Sequence, residues 1–556
     1  MCTDMQPYNS VERKGFKHLL SVLCPNFELP SRKYFSDHKI PQMYEIVRNC
    51  LKEKLKQVSY ISLTTDCWTS INGYPFIGLT AHTINNDWII ESFCLACTAL
   101  NVDHNNVNIK NKIKQILIDW EIDESKIAGI TTDCGSNILK AVESLSFNHI
   151  PCFGHVLNTG VTNAFALPPV KLCSENAVKV RSVFHYSPKM KRSLLNAQIN
   201  LNLPPLVVPS SCETRWWSLL PCLNFIKTQH EVLRTILTTP KHQKILPTFN
   251  HLQLIERLLC ILNPLKQLGE AMASEKNVTI SSLWPIYQQL KLQFHKQTNE
   301  SHSQNVSINE ATENNSAPLF PESQESISHN QPTVEETSDF FSQINDESTE
   351  DCEEEILSQT LIQALNHVEQ LVSDAIFNKL SKRFNENIRT KQLIQLTSFL
   401  DPRYKSCLTS YEFYMVKQRL VAEMELNGIK SVDPSSSPPL KKKSYSGIAS
   451  FLSTSLPSNS ASNCENIFEA EIEKFNQMPK VDLDTDPLNW WKIFNSEFPN
   501  LSRLAKKYLC IQGTSVPSER LFSYGGNVIT NKRSLLSEAH AEQLIFLSKN
   551  SNFLVN

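Results

Sequence analysis

The tetrapeptide Thr-Thr-Asp-Cys occurs twice, at 64–67 and at 131–134, each time closing a short run of apolar and β-branched residues. Side chains alternate across a strand, so an acid at the end of such a run has a fixed place at a sheet edge. If the two runs are neighbours in one sheet, the carboxylates of Asp66 and Asp133 face each other there. That pairing restricts the fold more than any other feature of the chain.

The surrounding pattern supplies the rest of a sheet. Residues 60–67, 76–84 and 88–97 read as three strands, the last two joined by a hairpin turn at Asn85-Asn86-Asp87. Ile109, Ile113, Ile116, Leu117 and Trp120 then recur at helical spacing. Residues 127–137 read as a strand that breaks at Gly135 and feeds a helix over 138–145, and 149–153 as a last short strand. Three strands, helix, strand, helix, strand is the order of a ribonuclease-H-like domain, whose first three strands form a meander.

Helical patterns hold elsewhere. Val11, Phe16, Leu19, Leu20 and Val22 form one apolar side before the sheet, and Tyr44, Ile46, Val47, Cys50 and Leu51 another. After 160 comes a basic stretch of Lys179, Arg181, Lys189, Lys191 and Arg192 around His185 and Pro188. Residues 297–355 are too polar and acidic to repay ordering and are expected to be disordered. Residues 430–464, rich in Ser and Pro and holding Lys441-Lys-Lys443, read as a flexible linker with a weak nuclear-import signal.

The net charge of −2 conceals a division. Fifteen acids and no Lys or Arg fall between Glu300 and Glu355, leaving 54 basic against 41 acidic side chains in the rest. That remainder allows a polyanionic partner. No apolar run approaches the ~20 residues that span a membrane, and the opening residues do not read as a signal peptide. The sixteen cysteines, scattered without a framework, are therefore expected to be reduced and intracellular. The Cys94-x-x-Cys97 pair sits in an apolar strand-like run and reads as core, so no zinc site is assigned from the sequence.

A third acid comes from far along the chain. In 510–526, Pro517 suits the first turn of a helix that carries Glu519 and Arg520 early, Leu521 and Phe522 on its apolar side, and should end at Gly525-Gly526. Alone, Glu519 is an ordinary first-turn acid favoured by the helix dipole. Joined to Asp66 and Asp133 by a chain that folds back, it would complete a set of oxygen donors suited to Mg²⁺ or Mn²⁺. Two such ions about 4 Å apart can activate an attacking hydroxyl and stabilise a leaving oxygen in phosphoryl chemistry.

The motifs Leu-Thr-Thr-Asp66-Cys-Trp-Thr-Ser, Gly-Ile-Thr-Thr-Asp133-Cys-Gly-Ser-Asn, Cys152-Phe-Gly-His155-Val-Leu-Asn, Thr-Arg215-Trp216, Leu-Asp401-Pro-Arg-Tyr-Lys and Pro-Ser-Glu519-Arg-Leu-Phe-Ser occur in this order. Together they resemble the hAT-superfamily transposases, and within them the members related to zinc-finger BED proteins. The resemblance covers nearly the whole chain. It implies an α/β RNase-H-like core interrupted by a large all-helical insertion domain, with a C-terminal hAT-type dimerisation region. The implied organisation is an N-terminal helical segment at 1–56, the first part of the core at 57–160, and the insertion at 161–475. Residues 476–556 would complete the core and dimerise.

The resemblance makes Asp66, Asp133 and Glu519 the candidate catalytic, metal-binding acids and places Cys152 and His155 beside them. It nominates Arg215, Trp216 and His155 as DNA-binding. From the residues alone, His155 is as well read as a hydrogen-bonded histidine in a packed turn. Arg215 suits a phosphate or an acid, and Trp216 suits stacking on an extruded base or core packing. Leu544, Ile545 and Leu547 on a final amphipathic helix, preceded by Asn531-Lys-Arg533, are the expected dimer contacts. The two Cys and two His of the BED finger usual in the related proteins have no counterpart here, and the sequence starts at the segment that would follow the finger. Two functions are implied. One is a nuclear, DNA-binding, dimerising protein that cleaves and transfers DNA strands with Mg²⁺ or Mn²⁺. The other is a catalytically inactive nuclear dimer acting in transcription or chromatin.

Overall fold

The computed structural model describes residues 2–70, 73, 75–100, 102–209, 217–294, 351–426, 467–528 and 536–554. Two helices, α1 (Lys14–Leu23) and α2 (Ile40–Gln57), precede strands β1 (Ile61–Thr69), β2 (Pro75–Ile84) and β3 (Ile90–Ala99). Helix α3 (Asn106–Asp119), strand β4 (Ile127–Thr132), helix α4 (Ser136–Glu143) and strand β5 (His149–Pro151) follow. The sheet order is β3-β2-β1-β4-β5, with β1–β2 and β2–β3 antiparallel and β1–β4 and β4–β5 parallel. This is the meander and helix-linked addition that the strand order predicts. At the hairpin, the Asn85 side chain accepts from the backbone N–H groups of Asp87 and Ile89, while Trp88 takes the left-handed conformation.

The helical remainder runs through α5 (Phe153–Phe165), α6 (Pro168–His185), α7 (Pro188–Asn200), α8 (Leu220–Ile236), α9 (Phe249–Met272) and α10 (283–294). It continues with α11 (Asp351–Phe384), α12 (Ile388–Leu400), α13 (Ser410–Leu426), α14 (Ile467–Gln477), α15 (Pro487–Phe494) and α16 (Pro499–Leu509). Last come α17 (Val516–Val528) and α18 (Glu538–Lys549). No helix among the described residues is long and apolar enough to cross a membrane.

Two cores result. One holds the helices from α5 through α16 together with Ile84, Trp88, Ala128 and Ile150 of the sheet region; the other holds the main body of the sheet with α2, α3, α4, α17 and α18. The predicted C-terminal portion, 476–556, divides between them. Trp491 on α15 is fully buried among helices, its indole N–H donating to the Leu400 carbonyl at 2.9 Å, whereas α17 and α18 pack on the sheet. The chain crosses from one core to the other at 510–515.

Four expectations need correction. Leu544, Ile545 and Leu547 are 1%, 0% and 0% exposed. They sit in their own chain's sheet core, where α18 packs against β3, α2 and α17, so they are not a surface offered to a second chain. Burying them removes apolar area from water without a partner, which is what an amphipathic helix usually does. The apolar side before the sheet is covered only in part: Val11 is buried and Leu20 half-buried, while Leu19 at 52% and Val22 at 64% stay exposed. Helix α17 does not stop at Gly525-Gly526 but continues to Val528. The expected disorder of 297–355 meets helix α11 at Asp351, the remainder of that stretch lying outside the described residues, as do 430–464 with Lys441–Lys443.

Candidate active site

The register decides where the acids go. Thr64 and Thr65 of β1 pair with Thr131 and Thr132 of β4, so Asp66 and Asp133 are the next residues on parallel neighbours. β1 continues to Thr69 through its pairing with β2 alone. Asp66 thus marks the point where the parallel ladder ends, and β4 gives way there to the Gly135 turn, whose N–H donates to the Asp133 carboxylate at 3.3 Å. Directly across the ladder from Asp66 is Gly78. A Cβ at Gly78 would lie 3.1 Å from the Phe522 ring, so its absence lets α17 settle on the sheet beside the acid. Trp68 stacks on Phe522 from the adjoining side, with centroids 5.8 Å apart.

The crossing segment 510–515 is sewn to both cores. Ser62 donates to the Cys510 carbonyl at 2.7 Å and Thr131 to the Gln512 carbonyl at 2.6 Å, one bond from each acid-bearing strand. The Gly513 carbonyl accepts from Phe153 N–H, and its N–H donates to the Thr279 hydroxyl. Thr64 and Ser518 hydroxyls lie 2.7 Å apart, and Thr64 meets Thr80, which meets His82. These buried contacts deliver α17 to the sheet with Glu519 in its first turn. Arg520, the next residue, turns away to pair with Glu275 at 2.7 Å.

Glu519 and its neighbours are then fixed by Ser515. The Ser515 hydroxyl donates to a Glu519 carboxylate oxygen at 3.1 Å, and its backbone N–H donates to the Cys152 sulfur at 3.2 Å. Cys152 is the N-cap residue of α5, and His155 lies in the first turn of the same helix. His155 Nδ1 comes within 3.5 Å of Glu519 Oε1. Ser515 carries no chemistry-bearing signature in the sequence. Its value comes from a spacing of four residues to Glu519 on one helical face, a signal legible only once that helix start is known.

The electrostatics bind the three acids into one group. Asp66 is 7% exposed, and its carboxyl is held well above the usual carboxylate range by burial first, then by Asp133 and Glu519, against a single opposing backbone N–H from Cys67. Burial also raises Glu519; Asp133 adds to this, while His155 and the Ser515 bond oppose it. Burial pushes the Cys152 thiol up to about 12. The raised Asp66 and Glu519 carboxyls fit a divalent cation, which would supply the missing positive charge and favour their ionised form. All three offer hard oxygen donors, as Mg²⁺ and Mn²⁺ prefer.

Of the residues nominated for DNA, His155 stands beside the acids, and Arg215 and Trp216 lie outside the described residues. The basic stretch is placed differently. It lies along α6 and α7, where a cavity of about 340 Å³ has Phe184, Leu194 and Val208 together with Arg181, His185 and Lys191 in its wall. The Leu-Asp401-Pro-Arg-Tyr-Lys motif is elsewhere again, buried in the helical core. Asp401 accepts from the Ser281 hydroxyl and from the Arg403 side chain and backbone, and the Lys405 ammonium donates to the carbonyls of Phe475, Asn476 and Met478.

Comparison with known proteins finds two family matches along the chain. A ZBED1 RNase-like domain matches residues 64–153, from the first acid-bearing strand to the start of α5. A hAT family C-terminal dimerisation region matches residues 462–551, which contain Glu519. Over 98% of its length the chain is 23% identical to Zinc finger BED domain-containing protein 4 of Homo sapiens, and over 97% it is 22% identical to a Zea mays protein described as an AC9 transposase. This is a hAT-like, transposase-derived chain. It spans 42% of the human relative's length and 63% of the maize one's. Zinc finger BED domain-containing protein 6 of Homo sapiens is 28% identical over 36% of this hAT-like chain.

Proposed function

We propose that the chain is a DNA-binding, self-associating protein of the nucleus that cleaves and transfers DNA strands, with Asp66, Asp133 and Glu519 holding Mg²⁺ or Mn²⁺. The observation that carries this reading is that Asp66 and Asp133, the next residues on two parallel strands, interact with Glu519, from a helix about four hundred residues later in the chain: after burial, Asp133 and Glu519 raise the Asp66 carboxyl and Asp133 raises that of Glu519. When bound, such an ion supplies Lewis acidity toward phosphate oxygens and makes a bound hydroxyl more acidic. The chain's own part is positional. β1 and β4 set the two aspartates, the 510–515 segment sets Glu519, and Ser515 orients its carboxylate. His155, beside Glu519, is placed to exchange a proton with a group held there. The basic excess of the sequence outside 300–355 and the Arg181 and Lys191 side chains in the cavity wall along α6 and α7 favour a nucleic-acid partner, and the matched C-terminal region favours self-association.

The test is nicking of supercoiled plasmid by the purified chain with Mn²⁺ or Mg²⁺, beside Asp133→Ala. Nicking should fall by on the order of 100-fold or more in the variant, the loss typical when a group stabilising transition-state charge is removed. A folded, DNA-bound wild type that shows no metal-dependent nicking would replace this reading with the inactive nuclear dimer acting in transcription or chromatin.

A further inference from the structure

The metal-ligating potential of the site is not confined to its three acids. Among the described residues, Cys152, His155 and Glu519 form a set whose sulfur, imidazole nitrogen and carboxylate oxygen all lie within 4.8 Å of one another. Two of these come from one helix start at positions i and i+3, and the third from the start of α17. A thiolate, an imidazole and a carboxylate suit a borderline ion such as Zn²⁺ far better than Mg²⁺. Three protein donors around one point, with a fourth position left for water or phosphate oxygen, is the format of an open zinc site.

The surroundings support the donors. Ser515 donates its N–H to the Cys152 sulfur and its hydroxyl to Glu519, so one residue orients two of the three ligands from outside the set. The backbone N–H groups of Ser515 and of His155 at the start of α5 face the sulfur and partly oppose the burial that raises its thiol, so a cation bound there would meet a sulfur already hydrogen-bonded in place. Cys152 is fully buried while the His155 and Glu519 side chains are each 28% exposed, giving an anchored inner ligand and an approach from solvent.

We propose that Cys152, His155 and Glu519 form a binding site for Zn²⁺ that shares Glu519 with the acid group. The function of this second site rests on the strand-cleaving reading given above. A carboxylate committed to Zn²⁺ is withdrawn from Asp66 and Asp133, so Zn²⁺ acts as an inhibitor of Mn²⁺-dependent nicking.

The experiment uses Co²⁺ as the spectroscopic probe on the reduced, full-length chain. Wild type should show a thiolate-to-cobalt charge-transfer band in the near ultraviolet and the visible bands of tetrahedral cobalt, and stoichiometric Zn²⁺ should displace both. Cys152→Ser should lose the charge-transfer band, and His155→Gln should weaken Co²⁺ binding by at least roughly 10-fold. Asp133→Ala should keep the full spectrum while losing nicking. Absence of the band in wild type, or its survival in Cys152→Ser, overturns the zinc site. If nicking fails in a wild type that shows the band, the strand-cleaving reading falls and the ion site stands.

Discussion

Asp66 and Asp401 are both buried aspartates, yet they stand in opposite electrostatic conditions. Asp401 is completely enclosed and fully answered. Arg403 grips it through its side chain, with Nη2 at 2.8 Å, and Ser281 donates a further bond at 2.7 Å. Asp66, at the end of a parallel ladder, receives one N–H and faces two other acids. The first arrangement holds helices together. The second leaves a buried carboxyl with little to answer it, at a cost to stability, which is the condition the proposed ion site requires. Both lie in motifs shared with the hAT resemblance, so motif membership alone does not separate a clamp from a site.

The contrast can be broken most forcefully at Asp401. Asp401→Ala strands the Arg403 guanidinium in the helical core and should cost about 3–5 kcal/mol in urea unfolding. A loss below about 1 kcal/mol would show that the pair is not a clamp. Leu544→Ala, in the sheet core that carries α17, should cost about 2–5 kcal/mol through its cavity. It should leave the mass by light scattering unchanged; a shift to monomer would restore Leu544 to the dimer interface.

Asp66→Asn should move in the other direction, gaining on the order of 1 kcal/mol at pH 8 without metal. Burial and neighbouring acids hold the folded Asp66 and Glu519 above their unfolded values. Their contribution to stability is therefore complete below the unfolded carboxylate range and is lost as pH rises through the folded values. Thermal melts of wild type without metal should decline over that rise more than those of Asp66→Asn. Added Mn²⁺ should stabilise wild type and leave the variant almost unmoved. A variant less stable than wild type at pH 8 would place Asp66 with Asp401 as a structural charge.

The sheet was legible because its strands are short apolar, β-branched runs and the turns beside them carry Asn, Asp and Gly. The doubled Thr-Thr-Asp-Cys gave the register of β1 on β4 directly. What was not legible depends on contacts between residues far apart in the chain. Leu544, Ile545 and Leu547 have the same pattern whether they face a second chain or β3, and only the fold chooses. Helix α1 has helical periodicity yet buries none of its residues fully, so periodicity alone could not tell burial from exposure. The bonds from Ser62 and Thr131 to 510–515 use hydroxyls and backbone carbonyls, groups that every stretch of chain possesses.

Those bonds also set a timetable for biosynthesis. Ser62 meets Cys510 across 448 residues, and Cys94 meets Asn550 across 456. At about 5–20 residues per second, a ribosome takes roughly 20 to 90 seconds between making the first strands and making the segment that covers them. During that interval the sheet waits without the segments α17 and α18 that cover it, and the two aspartates stand without their glutamate. Any cleavage activity the protein has can begin only once Glu519 has been made and has reached the sheet.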